Sequence, residues 1–77
     1  MQDETTMITI SLNGKRASLA DGSTILDLLR ERELTERLVV VEINGTIVPR
    51  SAFAETRFAS GDAVEIVHFV GGGQLDR

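Results

Sequence analysis

The residues best placed to do chemistry are the plainest in the chain. The stretch "HFVGGGQLDR" sets Gly71, Gly72 and Gly73 directly after an apolar run, with Gln74, Leu75, Asp76 and Arg77 following. Without Cβ atoms such a segment is thin and free in its backbone angles. Fully extended, three residues reach roughly 10 Å beyond a folded body. A tip of that shape threads a narrow channel in another protein and presents a main-chain carboxylate with no branching beside the reacting carbon. The alternative is a frayed terminus, because chain ends are commonly loose. Two features favour the chemical reading. The glycines abut the apolar run with no polar transition, and little else in the sequence can do chemistry.

The other candidates each have a simpler explanation. His68 is the single histidine, and one histidine on a terminal strand is more simply a packed or solvated side chain than a catalyst. Cysteine is absent, so there is no thiol nucleophile and no thiolate to complete a metal set. No catalytic set and no metal site are expected. Asp62 and Glu65 read as a turn aspartate and an exposed strand glutamate. Ser23 and Thr24 read as helix caps, since no base partner is identifiable. The glycine run is not a phosphate loop, because neither a lysine nor a helix follows it. Arg50, after Pro49, reads as a solvated arginine, with a partner contact as its other use. If the protein handles sulfur, no thiol side chain of its own can hold it.

The 77 residues fit one domain. At that size folding hides only about 60% of the surface the unfolded chain exposes. That leaves no room for a buried cleft with a scaffold around it, which favours a carrier, a binding module or a subunit over a self-contained enzyme. Apolar residues at 42% and charged residues at 26% are ordinary for a folded soluble protein. A formal charge of −4 repels phosphate backbones and argues against nucleic acid as a partner. No apolar run reaches bilayer length, and the opening "MQDETT" is acidic and polar, unlike a signal peptide. A cytoplasmic protein without membrane partners is expected. So are a flexible arm over residues 1–6, a domain over 7–70 and a flexible tail over 71–77.

The elements that must position the tail follow from periodicity. "MITISL" alternates, with Ile8, Ile10 and Leu12 on one face. Asn13-Gly14 suits a tight hairpin turn, and "KRASL" returns with Ala17 and Leu19 inward. Helical spacing of Ile25, Leu28 and Leu29 predicts a helix from about Thr24 to Glu33. The run Leu38 to Ile43 reads as a strand, either buried on both faces or in a central position. Asn44-Gly45 gives a second turn, "TIVP" a short strand ended by Pro49, and "RSAFAETRFA" an irregular or 3₁₀ stretch with Phe53 and Phe58 inward. The last strand, "AVEIVHFV", puts Val64, Ile66 and His68 on one face and Ala63, Glu65, Val67 and Phe69 on the other. The order predicts an α+β fold of the β-grasp type, a mixed sheet of four to five strands with one helix on one face. In it the first and last strands are central neighbours, so the tail leaves from a rigid strand.

With these pieces in place, the stretch from Ile8 to Gly73 resembles the ThiS family of bacterial sulfur carriers. The resemblance rests on "LNG" at Leu12 to Gly14, "DGSTILDLL" at Asp21 to Leu29, "VEINGTIVPRSAF" at Val41 to Phe53 and "GDAVEIVHFVGGG" at Gly61 to Gly73. It implies the ubiquitin-like β-grasp fold and a mechanism. A ThiF-like adenylyltransferase, using ATP and Mg²⁺, activates the carboxylate of the terminal glycine. A sulfur donor system then displaces AMP to leave a thiocarboxylate, and a ThiG-like thiazole synthase takes the sulfur for thiamin. Gly72 and Gly73 match the family's terminal pair, and Gly71 the small residue before it. The carrier binds no cofactor itself. The departure is Gln74 to Arg77, which lock the Gly73 carbonyl in an amide. Removal of "QLDR" by a processing peptidase is therefore expected. A MoaD-like carrier for molybdopterin and a ubiquitin-like binding module with an inert tail are the rival readings.

The partner is expected to dock on the sheet face opposite the helix, with Val39, Val40, Val41, Phe53, Phe58 and Val67 as candidate apolar contacts.

Overall fold

The computed structural model describes residues 6–69. It holds strands β1 (Met7–Leu12) and β2 (Lys15–Ala20), helix α1 (Ile25–Glu31), and strands β3 (Val39–Ile43), β4 (Thr46–Val48) and β5 (Ala63–His68). Short 3₁₀ turns at Glu36–Leu38 and Arg50–Ala52 lie in the connections. The expected tail over residues 71–77, and the arm before Thr6, lie outside the described residues.

The strands form one sheet in the order β2-β1-β5-β3-β4. β1 and β5 run parallel as neighbours at its centre, with Ser11 opposite Ala63 and Leu12 opposite Val64. β5 runs antiparallel to β3, from Val39 opposite His68 to Ile43 opposite Val64. Each flank is an antiparallel hairpin, β1–β2 and β3–β4. This is the expected mixed β-grasp sheet with one helix. Both hairpins turn on Asn-Gly. Asn13 and Gly14 have φ of 51° and 84°, and Asn44 and Gly45 have 52° and 86°. Positive φ at both central residues matches the right-handed twist of the strands they join.

One face of the sheet supplies Ile8, Ile10, Leu19, Val39, Val41 and Val64 to the core, and α1 supplies Ile25, Leu28 and Leu29. A helix of seven residues is too short to persist alone, so packing of that apolar stripe holds it. Its start is closed with care. The Asp27 N–H donates to Thr24 Oγ1 at 3.1 Å and the Thr24 N–H to Asp27 Oδ2 at 3.0 Å, a reciprocal capping box. The Thr24 hydrogen bonds, from backbone and then side chain, hold the Asp27 carboxyl below the ordinary aspartate value, and the charges of Arg30 and Arg57 add to the effect. The Ile25 and Leu26 N–H groups donate to the carbonyls of Thr56 and Phe53. The loop after β4 thus satisfies donors that a helix start leaves free. In doing so it carries Phe53 and Phe58 into the core, at 2% and 4% exposure.

The end of α1 and the start of β3 differ from the sequence expectation, as does the end of β5 at His68. α1 ends at Glu31 because the chain closes on itself there: Glu33 takes φ of 60°, its N–H reaches the Arg30 carbonyl, and the Leu34 N–H reaches the Leu29 carbonyl at 2.8 Å. This is a Schellman closure built on a glutamate instead of the usual glycine. β3 begins at Val39, and Leu38 ends a 3₁₀ turn at 44% exposure. The apolar run from Leu38 to Val41 is therefore not buried on both faces; the strand instead has a position inside the sheet, paired with β5 on one side and β4 on the other. Val39 and Val41 point into the core, while Val40 is half-buried because no described element covers the other side of the sheet.

Candidate functional site

Gly71, Gly72 and Gly73 lie outside the described residues, so the site is built from the strand that leads to them. β5 is gripped from both sides. On one side, two register pairs with β1 are followed by the Asn13 N–H donating to the Val64 carbonyl at 2.8 Å. On the other, five register pairs with β3 are followed by the Phe69 N–H donating to the Leu38 carbonyl at 2.7 Å. The main chain is thus hydrogen-bonded through Phe69, the last described residue. The glycines begin two residues later in sequence.

The alternation of β5 sorts its side chains. Val64 is buried and Ile66 half-buried on the helix side, while Glu65, Val67 and Phe69 fall on the outer side. Val67 stands opposite Val40, Glu65 opposite Glu42, and Glu42 in turn opposite Ile47 of β4. The outer face therefore carries an apolar strip, with Ile47, Val67 and Phe69 at 60%, 52% and 54% exposure. A facing pair of carboxylates crosses it. Clustered exposed apolar side chains beside the end of β5 make a surface suited to contact with another protein.

The structure revises the expected contact residues. Val67 is exposed on that face. Val39, Val41, Phe53 and Phe58 are core residues at 7%, 0%, 2% and 4% exposure, so they cannot present a surface. Each points to the helix side, where α1 and the loop after β4 cover it. Ile47 and Phe69, unlike them, are exposed. The signal was available in part: Phe69 shares the parity of Glu65 and Val67, and a strand face bearing a glutamate is the solvent face.

The remaining candidates are accounted for. Asp62 accepts from the Ala59 N–H at 2.8 Å and the Asn44 side-chain amide at 3.1 Å, which closes the turn before β5. Arg50 donates to the Arg37 carbonyl at 3.3 Å and ties the two 3₁₀ turns together. Ser23 donates to the Ala20 carbonyl and Thr24 caps α1. His68 is exposed at the end of β5. Among the described residues no three His, Asp or Glu side chains gather as a metal site requires, and no helix is long and apolar enough to cross a membrane. A shallow hollow of about 350 Å³ beside the β1–β2 turn is lined by Leu12, Asn13, Ala17 and the cations Lys15, Arg16 and Arg32.

Comparison with known proteins agrees with this arrangement. The model of the ThiS family matches residues 10–73, a span that ends on the third glycine. The sulfur carrier protein ThiS of Bacillus subtilis is 42% identical over 65 residues, covering 83% of this chain and 98% of its own. A thiazole synthase of Paramagnetospirillum magneticum is 40% identical over 62 residues, which are 80% of this chain but 19% of that protein. The crystal structure of the thiamine biosynthesis protein ThiS from Geobacter metallireducens superimposes with a TM-score of 0.72 at 35% identity, covering 86% of this chain and all of that one.

Proposed function

The chain belongs to the ThiS family, and from that premise we propose that the carboxylate of Gly73, freed of residues 74–77, is the group that carries sulfur. The protein is a sulfur carrier of thiamin biosynthesis, a co-substrate that partner enzymes act on and not itself a catalyst. The observation that carries the assignment to Gly73 is the coincidence of two limits: the family match ends at residue 73, and the β5 main chain is fixed through Phe69. Val70 and a run of glycines thus join a rigid strand to the reacting carbon.

The chemistry follows from the weakness of a carboxylate as an electrophile. A ThiF-like partner binds ATP and Mg²⁺ and joins the Gly73 carboxylate to the α-phosphate, releasing pyrophosphate. Sulfur from the donor system attacks the carbonyl, AMP leaves, and a thiocarboxylate remains. The carrier supplies an uncrowded carbonyl, and the charge stabilisation belongs to the partner. The sulfur passes to a thiazole synthase. Support for that acceptor comes from the synthase relative, in which a stretch similar to 80% of this chain makes up 19% of that protein. The strip of Val67, Ile47 and Phe69 seats the activating partner, because one protein must hold both the body and the tip beyond Phe69.

In the sequence Gly73 is amide-linked to Gln74, so hydrolysis of that bond by a peptidase precedes activation. The test compares the chain of residues 1–73 with the full chain. Each is incubated with ATP, Mg²⁺, sulfide and an activating enzyme shown to be active on another ThiS. Intact mass of the 1–73 chain rises by about 16 Da as oxygen is exchanged for sulfur, and the full chain stays unchanged. A full chain modified at Arg77, or an inert 1–73 chain beside an active control, overturns the assignment.

A further inference from the structure

Both hairpin turns use their asparagine side chains on the same strand. Asn13 Oδ1 accepts the Ile66 N–H at 2.8 Å, and Asn13 Nδ2 donates to the Ile66 carbonyl at 3.3 Å. Asn44 Oδ1 accepts the Ala63 N–H at 2.9 Å, and its Nδ2 donates to Asp62. The side-chain amide of Asn13 behaves as a piece of backbone. The register pairs of β1 with β5 stop at Leu12 and Val64, and this amide supplies the next rung, closer to the tail.

The same residue heads an Asn-Gly step, whose chemistry is intrinsically labile. A backbone nitrogen can attack the side-chain carbonyl of the asparagine before it, and a glycine nitrogen has no side chain in the way. Asn13 and Gly14 are exposed, and a methyl group added at Gly14 would meet nothing within 4 Å. Water and space for the reaction are both present. What the folded chain withholds is the movement of Asn13 Cγ towards the Gly14 nitrogen, because both polar atoms of the amide are bound to Ile66.

We propose that Asn13 is a latent self-modification site that β5 holds shut. When β5 lifts, the Gly14 nitrogen bonds to Asn13 Cγ and the Cγ–Nδ2 bond breaks. Ammonia leaves with the proton that the Gly14 nitrogen loses. Water then adds to either carbonyl of the cyclic imide and opens it to aspartate or isoaspartate. No oxidant or reductant takes part. The aspartate still accepts the Ile66 N–H but has no hydrogen for the Ile66 carbonyl, so two oxygens face one another. Isoaspartate adds a methylene to the main chain of the turn. Opening of β5 thus permits a change that hinders its return. This inference concerns the fold alone and stands whether or not Gly73 carries sulfur.

The test follows the full chain at neutral pH by peptide mass mapping, which locates conversion at Asn13 as a gain of about 1 Da. In the folded chain conversion is at least about tenfold slower than in the urea-unfolded chain, because only the open fraction reacts. The variants Asn13→Asp and Asn13→Gly, the second of which keeps the positive φ, raise hydrogen exchange at the Ile66 amide several-fold. Equal conversion rates in folded and unfolded chains, no conversion in the unfolded chain, or unchanged Ile66 exchange in a folded variant would overturn the proposal.

Discussion

Glu42 of β3 and Glu65 of β5 stand directly opposite one another on the open face of the sheet. Like charges in that position destabilise a strand pair. The fold contains the means to avoid it, since a single threonine or lysine at either site would suit an exposed strand. On one side of the pair lie Val40 and Val67, also directly opposite, and across β3 from Glu42 lies Ile47. Two carboxylates bordering an apolar strip match a partner that brings a basic side chain beside its own apolar ones. In the proposed docking, binding of such a partner offsets the cost borne by the free carrier.

Replacing one of the two charges should separate these effects. Glu65→Lys converts a like pair into an opposite one, and stability rises by about 0.2–1 kcal/mol. The measurement is a urea midpoint that moves up at constant slope. The same variant should lose affinity for the activating partner, with a weaker dependence on salt than the parent chain. A higher midpoint with unchanged affinity would show that the pair has no role in docking.

Glu33 invites the opposite kind of test. It holds φ of 60°, a region in which a side chain costs about 1–2 kcal/mol and glycine almost nothing. It does so to let Leu34 reach back to Leu29 and end α1. Glu33→Gly keeps the closure and removes the strain, so stability rises by about 1 kcal/mol. Glu33→Val lowers it by a comparable amount, because branching at Cβ worsens the same clash. Thermal melts of the two variants against the parent chain decide the sign.

The start of α1 gives the fold a dependence on acid. Asp27 accepts the Thr24 N–H, and its folded pKa is lower than in the unfolded chain. A lowered carboxyl pKa stabilises the fold above the unfolded value of about 3.9, and the contribution is lost as pH falls through the folded value. In Asp27→Asn that loss is absent, and the drop in stability below the unfolded pKa is shallower. Thr24→Ala removes the other half of the box. It costs about 0.5–2 kcal/mol at neutral pH and weakens the acid dependence as well. Urea midpoints measured from neutral pH down to the acid range test both statements.

Much of this architecture was legible in the residues. The alternation of Ile8, Ile10 and Leu12, the two Asn-Gly steps and the helical spacing of Ile25, Leu28 and Leu29 led to the correct strands, turns and helix, because each is a local rule. The inward Phe53 and Phe58 followed from size and apolarity. Their use as contacts did not survive, since a large apolar side chain serves a core and an interface equally well until its neighbours are known. The burial of Val39 and Val41 but not Val40 depends on what covers each face, which no local pattern states. Glu33 in a left-handed conformation and the reach of Asn13 to Ile66, 53 residues away, are products of tertiary closure and left no mark in the sequence.

Kinetics separate the body of the carrier from its tip. In the chain of residues 1–73, the proposed function puts Val67 in the docking strip and Gly73 at the reacting carbon, so their variants should fail in different parameters of partner-catalysed adenylation. Val67→Ser removes exposed apolar area without touching the core. Its urea midpoint stays near that of the parent, while KM rises by about fivefold for a loss near 1 kcal/mol and kcat is kept. Phe53→Ala fails differently: a buried ring is lost, stability falls by about 3–5 kcal/mol, and any loss of activity follows the unfolded fraction. Gly73→Val leaves both the body and its docking surface intact. A branched Cβ beside the carbonyl crowds the approach of the phosphate, so kcat falls by about a hundredfold with KM little changed. If Val67→Ser lowered kcat while Gly73→Val raised only KM, the roles given to the strip and the tip would be reversed, and the reacting carbon would have to be sought elsewhere in the chain.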